Sequence, residues 1–115
     1  MNPIAGMGGR VGLKGSDGTD TLRRARELGA VETSPQRAIE ALKHLKSVQN
    51  LMIITYPGEM GEDEARAVGL NPTVIGAITS GETSSADTRR AAVEMAALGA
   101  DLLLFAGGDG TARDI

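Results

Sequence analysis

The sequence predicts an α/β fold of three layers, a parallel sheet flanked by helices. Apolar runs of strand length, at 51–55, 73–79 and 102–106, are separated by stretches with the period of amphipathic helices. Leu102 to Phe105 is continuously apolar, as expected of a strand covered on both faces. The glycines fall into two classes: Gly29, Gly69 and Gly99 each close a helical stripe, whereas Gly58, Gly61, Gly81, Gly107, Gly108 and Gly110 follow strands. In a parallel α/β sheet the second class lies along one edge, at the carboxyl ends of the strands, where ligands bind.

In chain order, residues 2–18 carry Gly6, Gly8, Gly9, Gly12, Gly15 and Gly18, a density that reads as a long loop. Thr19 or Asp20 caps a helix whose inward face is Leu22, Ala25 and Leu28, ended by Gly29. Ser34-Pro35 opens the next helix, with Ala38, Ile39, Leu42 and Leu45 as its buried stripe. Leu51 to Thr55 is a β-branched, apolar strand stopped by Tyr56-Pro57-Gly58. Glu62 to Val68 is a short helix closed by Gly69, and Thr73 to Thr79 is a second strand weakened by Gly76. Ser84 and Asp87 form an S-x-x-D helix start, followed by an inward face of Thr88, Ala91, Met95 and Leu98 and by Gly99 as cap. After the third strand, Leu102 to Ala106, Thr111-Ala112-Arg113-Asp114 repeats the pattern as T-x-x-D, with Asp114 as its capping carboxylate.

Composition removes several classes of function. With 115 residues the chain is one domain, large enough to bury roughly two-thirds of its unfolded surface. A single Phe, a single Tyr and no Trp leave no stacking platform for single-stranded nucleic acid. Net charge is −3 and no run of four basic residues occurs, so neither duplex binding nor a polybasic membrane patch is expected. The absence of cysteine excludes disulfides, thiolate zinc sites and cysteine nucleophiles, and points to the cytoplasm. His44, the only histidine, lies between Lys43 and Lys46 on a helix and reads as solvated.

The stretch Asp101 to Thr111, D-L-L-L-F-A-G-G-D-G-T, concentrates the chemistry. A strand running into a glycine-rich turn and then a helix start is suited to phosphate, because glycines let backbone N–H groups approach an anion without interference from Cβ. Asp109 is the anomaly there. A carboxylate beside a polyanion is unfavourable unless it binds a metal, takes a proton from an attacking hydroxyl, or is oriented away. The glycines at 6–12 match neither the G-x-G-x-x-G fingerprint nor a P-loop, since the last glycine is missing and no G-K-[S/T] follows. Glu59, Glu62, Asp63 and Glu64 could be taken for metal ligands but fit better as acidic residues in the first turn of a helix. Lys14 and Arg10 are available to neutralise phosphate or to be solvated.

The block G-G-D-G-T at the end of an apolar strand resembles the motif of the superfamily that joins NAD kinases, diacylglycerol and sphingosine lipid kinases and, more loosely, phosphofructokinases. Residues 2–18, N-P-I-A-G-M-G-G-R-V-G-L-K-G-S-D-G, are similar to the opening of one branch, the ATP-NAD kinases of archaea and bacteria, close to proteins of acetoin catabolism. The similarity continues through P-G-E-M-G at 57–61, S-S-A-D-T at 84–88 and G-G-D-G-T-A-R-D at 107–114. It implies a Rossmann-like nucleotide-binding N-terminal domain spanning 1–115, truncated at both ends: the family places a strand before Met1, the body of a helix beyond the T-x-x-D start at 111–114, and a second, β-rich domain after it. It also implies transfer of a phosphoryl group from ATP, or from polyphosphate, to the adenosine 2′-hydroxyl of NAD, assisted by Mg²⁺. By that resemblance Asp109 takes the hydroxyl proton, while Asn2, Gly6, Gly8, Gly107, Gly108, Gly110 and Thr111 hold phosphate oxygens. No protein ligand to a metal is assigned. The chain alone is expected to be inactive. The alternatives are a non-catalytic nucleotide-binding or self-associating α/β module, a homo-oligomer paired through a bare sheet edge, and a lipid kinase, disfavoured because no apolar or basic membrane-docking surface is present.

Overall fold

A computed structural model describes residues 1–13 and 19–115. The order of elements is α1 (Met7–Arg10), α2 (Thr19–Glu27), α3 (Ser34–Leu45), β1 (Ile54–Thr55), a 3₁₀ turn (Gly58–Met60), α4 (Glu62–Ala67), β2 (Thr73–Val74), α5 (Ser85–Ala97) and α6 (Asp109–Asp114). The chain is α/β, but among the described residues its sheet is small. β1 and β2 pair in parallel with Ile54 opposite Thr73 and Thr55 opposite Val74, and the ladder is extended by Thr73 N to Ile53 O at 2.8 Å and Ile75 N to Thr55 O at 2.9 Å.

The helix boundaries follow their local chemistry. Gly29, Gly69 and Gly99 take the left-handed backbone, at φ 83°, 79° and 77°. Each lets the following residue's N–H reach back to the helix: Ala30 to Ala25, Leu70 to Ala65 and Ala100 to Met95. Ser84 and Asp87 form the expected capping box on α5, the Asp87 carboxylate accepting from the Ser84 N–H at 2.8 Å and from its hydroxyl at 2.9 Å. Two apolar clusters hold the elements together. Leu42 packs with Ala65 and Val68, joining α3 to α4. Tyr56, Met60 and Ala91 join the end of β1 to α5, with Ile75, Ile78 and Met95 around them. Burying a side chain such as Leu42 is worth roughly 1.5–3 kcal/mol.

The strands are shorter than the apolar runs, and the reasons are local. Asn50 takes a left-handed φ of 58° just before the first run, and Leu51 and Met52 are left exposed. The second run stops at Gly76, whose φ is 67°; a Cβ there would collide with Cε1 and Cζ of Tyr56. The third run departs furthest from expectation. Leu102 to Ala106 forms no strand, and no backbone hydrogen bond among the described residues pairs it. Without a neighbour to complete a ladder its side chains stay open to solvent: Leu102 is 82% exposed, Leu104 50% and Phe105 40%. Leu28 and Leu98, read as inward-facing, are also exposed, because α2 and α5 bury only Ala25 and Ala91 fully. His44 is exposed, as its surroundings in the sequence predict.

Candidate functional site

The N-terminal loop is anchored through one buried side chain. Asn2, 3% exposed, donates from Nδ2 to the Ser84 carbonyl at 2.8 Å and to Thr88 Oγ1 at 3.1 Å. Its Oδ1 accepts from Thr83 Oγ1 at 3.1 Å and from the Ile4 N–H at 3.3 Å. Both donors and the acceptor oxygen of the amide are thereby engaged inside the protein. Ser34 Oγ, at the start of α3, donates to the Ala5 carbonyl at 2.7 Å, and the Met1 amino group reaches the Met60 carbonyl at 3.4 Å. Glu59 accepts from the Gly81 N–H at 2.7 Å, tying the turn after β1 to the turn beyond β2. The turns after β1 and β2 therefore gather with the N-terminal loop.

The G-G-D-G-T turn joins this assembly through glycine backbone. Gly6 has φ 79°, and a Cβ on it would stand 3.5 Å from the Gly108 nitrogen; a Cβ on Gly108 would stand 3.7 Å from the Gly6 Cα. Between these loops and α6 lies a cleft of about 650 Å³, a volume in the range of small-molecule sites. Of the residues singled out from the sequence, Asn2, Gly6, Gly108, Asp109, Gly110 and Thr111 line it. Gly9 and Gly110 also line it, and nothing lies within 4 Å of where their Cβ atoms would be, so a ligand can come close to that backbone.

Gly8 and Gly107 do not line the cleft, and each has another role. Gly8 is buried in α1, its carbonyl accepting from the Val11 and Leu13 N–H groups. A Cβ on Gly107 would collide with Thr111 Oγ1 and lie 2.6 Å from Thr111 Cβ, so this glycine is what lets the Thr111 side chain fold back over the turn. The T-x-x-D expectation also changes. α6 starts at Asp109 with Gly108 as its N-cap, which puts Asp114 too late to cap it. Asp114 instead binds Arg89 of α5 at 2.5 Å, fastening α6 to α5.

Ser85, Thr88 and Arg113 line the cleft without having been read from the sequence as site residues. For Arg113 a signal existed: it follows Asp109 by four residues, the spacing that puts two residues on one helix face. Among the described residues neither Asp109 nor Arg113 is in an ion pair. Lys14 lies outside the described residues, as does the side chain of Arg10.

The acidic cluster after β1 behaves as first-turn chemistry. Glu62, Asp63 and Glu64 occupy the first turn of α4, and Glu62 accepts from the Gly58 N–H at 3.0 Å and from Arg66 at 2.9 Å. The Gly58 amide, then Arg66, hold its carboxyl below the ordinary range. Glu64 is buried, one of its carboxylate oxygens has no hydrogen-bond partner, and burial pushes its carboxyl up. Among the described residues no three His, Cys, Asp or Glu side chains converge as a metal cluster, and no helix is long and apolar enough to cross a membrane.

A cleft walled by glycine backbone and lined also by Asp109, Arg113 and Asp114 can admit a ligand rich in anionic oxygen and take a proton from a hydroxyl beside it. The sequence profile of the ATP-NAD kinase N-terminal domain matches residues 11–115. No curated protein and no solved structure matches the chain.

Proposed function

The chain belongs to the ATP-NAD kinase N-terminal domain family, and from that premise we propose that it is the phosphate-handling part of a kinase making NADP from NAD. In this reading ATP, or inorganic polyphosphate, donates its terminal phosphoryl group to the adenosine 2′-hydroxyl of NAD. Asp109 accepts the hydroxyl proton, and the backbone of Gly6, Gly108 and Gly110 receives phosphate oxygens, with the Thr111 hydroxyl close by. Gly8 and Gly107 contribute indirectly, the first by shaping α1 and the second by making room for Thr111. Asn2 acts as the pin that keeps the N-terminal loop opposite the G-G-D-G-T turn. Magnesium, when bound, supplies charge neutralisation on the phosphates, an ion commonly held by one or two carboxylates plus the substrate.

The observation that supports this reading best is the close approach of Gly6 and Gly108 beside Asp109 in one cleft. Phosphoryl transfer depends on positioning and charge stabilisation, and a general base adds about 10²- to 10⁴-fold. Asp109→Asn in the full gene product is therefore expected to lower NADP formation by at least about 10²-fold. Unchanged turnover would remove Asp109 as the base. The 115-residue chain by itself is proposed to bind nucleotide without turnover, with a second domain completing the NAD site and the cytoplasm as its compartment.

A second reading, a self-associating module, draws on the exposed Leu102 to Phe105 run. A strand from a second copy would pair with that run and cover it. Sedimentation equilibrium tests it: a dimer that Leu104→Asp dissociates supports the reading, and a monomer at all concentrations excludes it.

A further inference from the structure

We propose that Arg113 is a direct contact for the phosphate chain of the phosphoryl donor, an inference that rests on the kinase reading above. Arg113 and Asp109 both line the cleft, on the same helix α6 and four residues apart. That spacing ordinarily lets Asp and Arg pair, with the acidic residue N-terminal as it is here. They do not pair, and Arg113 has no ion-pair partner among the described residues. Its sequence neighbour Asp114, the other carboxylate in the cleft, is taken by Arg89 at 2.5 Å. The Arg89–Asp114 pair thus fastens α6 in place and withholds the second carboxylate that could neutralise Arg113. Arg113 thus lines the cleft without a carboxylate partner among the described residues.

A planar guanidinium suits this task because its forked donors match phosphate geometry in a bidentate contact, which an ammonium cannot reproduce. Four residues of helix, about 6 Å of rise, separate its level from that of Asp109. The proposal puts the hydroxyl beside Asp109 and the outer phosphate oxygens beside Arg113, both of which line the cleft. The donor's phosphate chain is the common chemistry of a nucleoside triphosphate and of inorganic polyphosphate, so both can be read by the same residue.

The test is calorimetric titration of the 115-residue chain and its variants with ATP, with tripolyphosphate, and with adenosine as the arm lacking phosphate. Arg113→Gln is expected to weaken binding of ATP and tripolyphosphate about tenfold or more, and Arg113→Lys to recover part of that loss. Asp109→Asn, which removes a negative charge from the same cleft, is expected to tighten both. Weakening confined to ATP identifies the nucleotide as the donor; weakening of both identifies the phosphate chain alone as what Arg113 reads. If the unaltered chain binds ATP or tripolyphosphate and Arg113→Gln binds it equally well, the Arg113 proposal fails and the kinase reading stands. If the unaltered chain binds neither, the kinase reading fails and this proposal with it. Circular dichroism of each variant separates lost affinity from lost fold.

Discussion

Gly6 and Gly108 meet backbone to backbone: a Cβ added to Gly108 would stand 3.7 Å from the Cα of Gly6. This contact brings the first loop of the chain to its last glycine turn, and the cleft lies beside it.

Gly6→Ala tests that contact. Gly6 has φ 79° and lies against the Gly108 nitrogen, whereas Gly29 has φ 83° with open space around it. Both substitutions force alanine into the left-handed region at a cost of about 1 kcal/mol or more. Melting curves should therefore show similar losses, while only Gly6→Ala should weaken ATP binding in titration. Equal ATP affinity for the two variants would separate Gly6 from the site.

Gly76→Ala is expected to disrupt the core around Tyr56. Its methyl would collide with the Tyr56 ring and approach the Tyr56 hydroxyl to 2.8 Å, at a left-handed φ of 67°. Tyr56 is fully buried at the centre of the cluster that joins β1 to α5, so the ring has no room to withdraw. Overpacking and backbone strain together are expected to cost about 2–4 kcal/mol. Denaturant unfolding measures it, and a loss below about 1 kcal/mol would contradict the packing described.

Two carboxylates should shape stability against pH with opposite signs. At Asp87 burial works to raise the pKa, but the Ser84 hydroxyl and amide and then the Arg90 guanidinium outweigh it, leaving the carboxyl below its ordinary 3.8. Such a group stabilises the fold above its unfolded value, and that contribution is lost as pH falls through the lower, folded value. At Glu64 burial raises the carboxyl above its ordinary 4.5. Its contribution is full below the unfolded value and is lost as pH rises through the folded one. Asp87→Asn is thus expected to lower the melting temperature at neutral pH and to flatten the acid limb below about pH 4. Glu64→Gln is expected to raise it at neutral pH and to narrow the difference between pH 4 and 7. Melting temperatures across pH 2–8 decide both, and a destabilised Glu64→Gln at pH 7 would reverse the assigned sign.

Local chemistry made the helices legible and left the sheet illegible. Gly29, Gly69 and Gly99 end their helices by a backbone conformation that belongs to the residue itself, and Ser84 with Asp87 caps within four residues, so a linear reading finds them. A strand depends on a neighbour that sequence pattern does not name. Leu102 to Ala106 has every apolar feature of a buried strand and still lacks a ladder partner among the described residues. The site divides in the same way. That Gly108, Asp109, Gly110 and Thr111 line one cleft follows the G-G-D-G-T block, whereas Gly6 came only from the resemblance carried by residues 2–18. The roles of Asn2 as a pin, Gly107 as clearance for Thr111 and Asp114 as the partner of Arg89 depend on contacts between distant segments. T-x-x-D misled because helix α6 starts two residues before the threonine.

The most direct measurement of the central claim is a ¹⁵N-labelled amide spectrum of the 115-residue chain titrated with ATP. If the glycine turns form the phosphate cradle, the amides of Gly6, Gly9, Gly108 and Gly110 shift together and saturably, while those of the helix-ending Gly29, Gly69 and Gly99 stay in place. Shifts confined to the helix-ending glycines, or none at any ATP concentration, would contradict the assignment of this cleft.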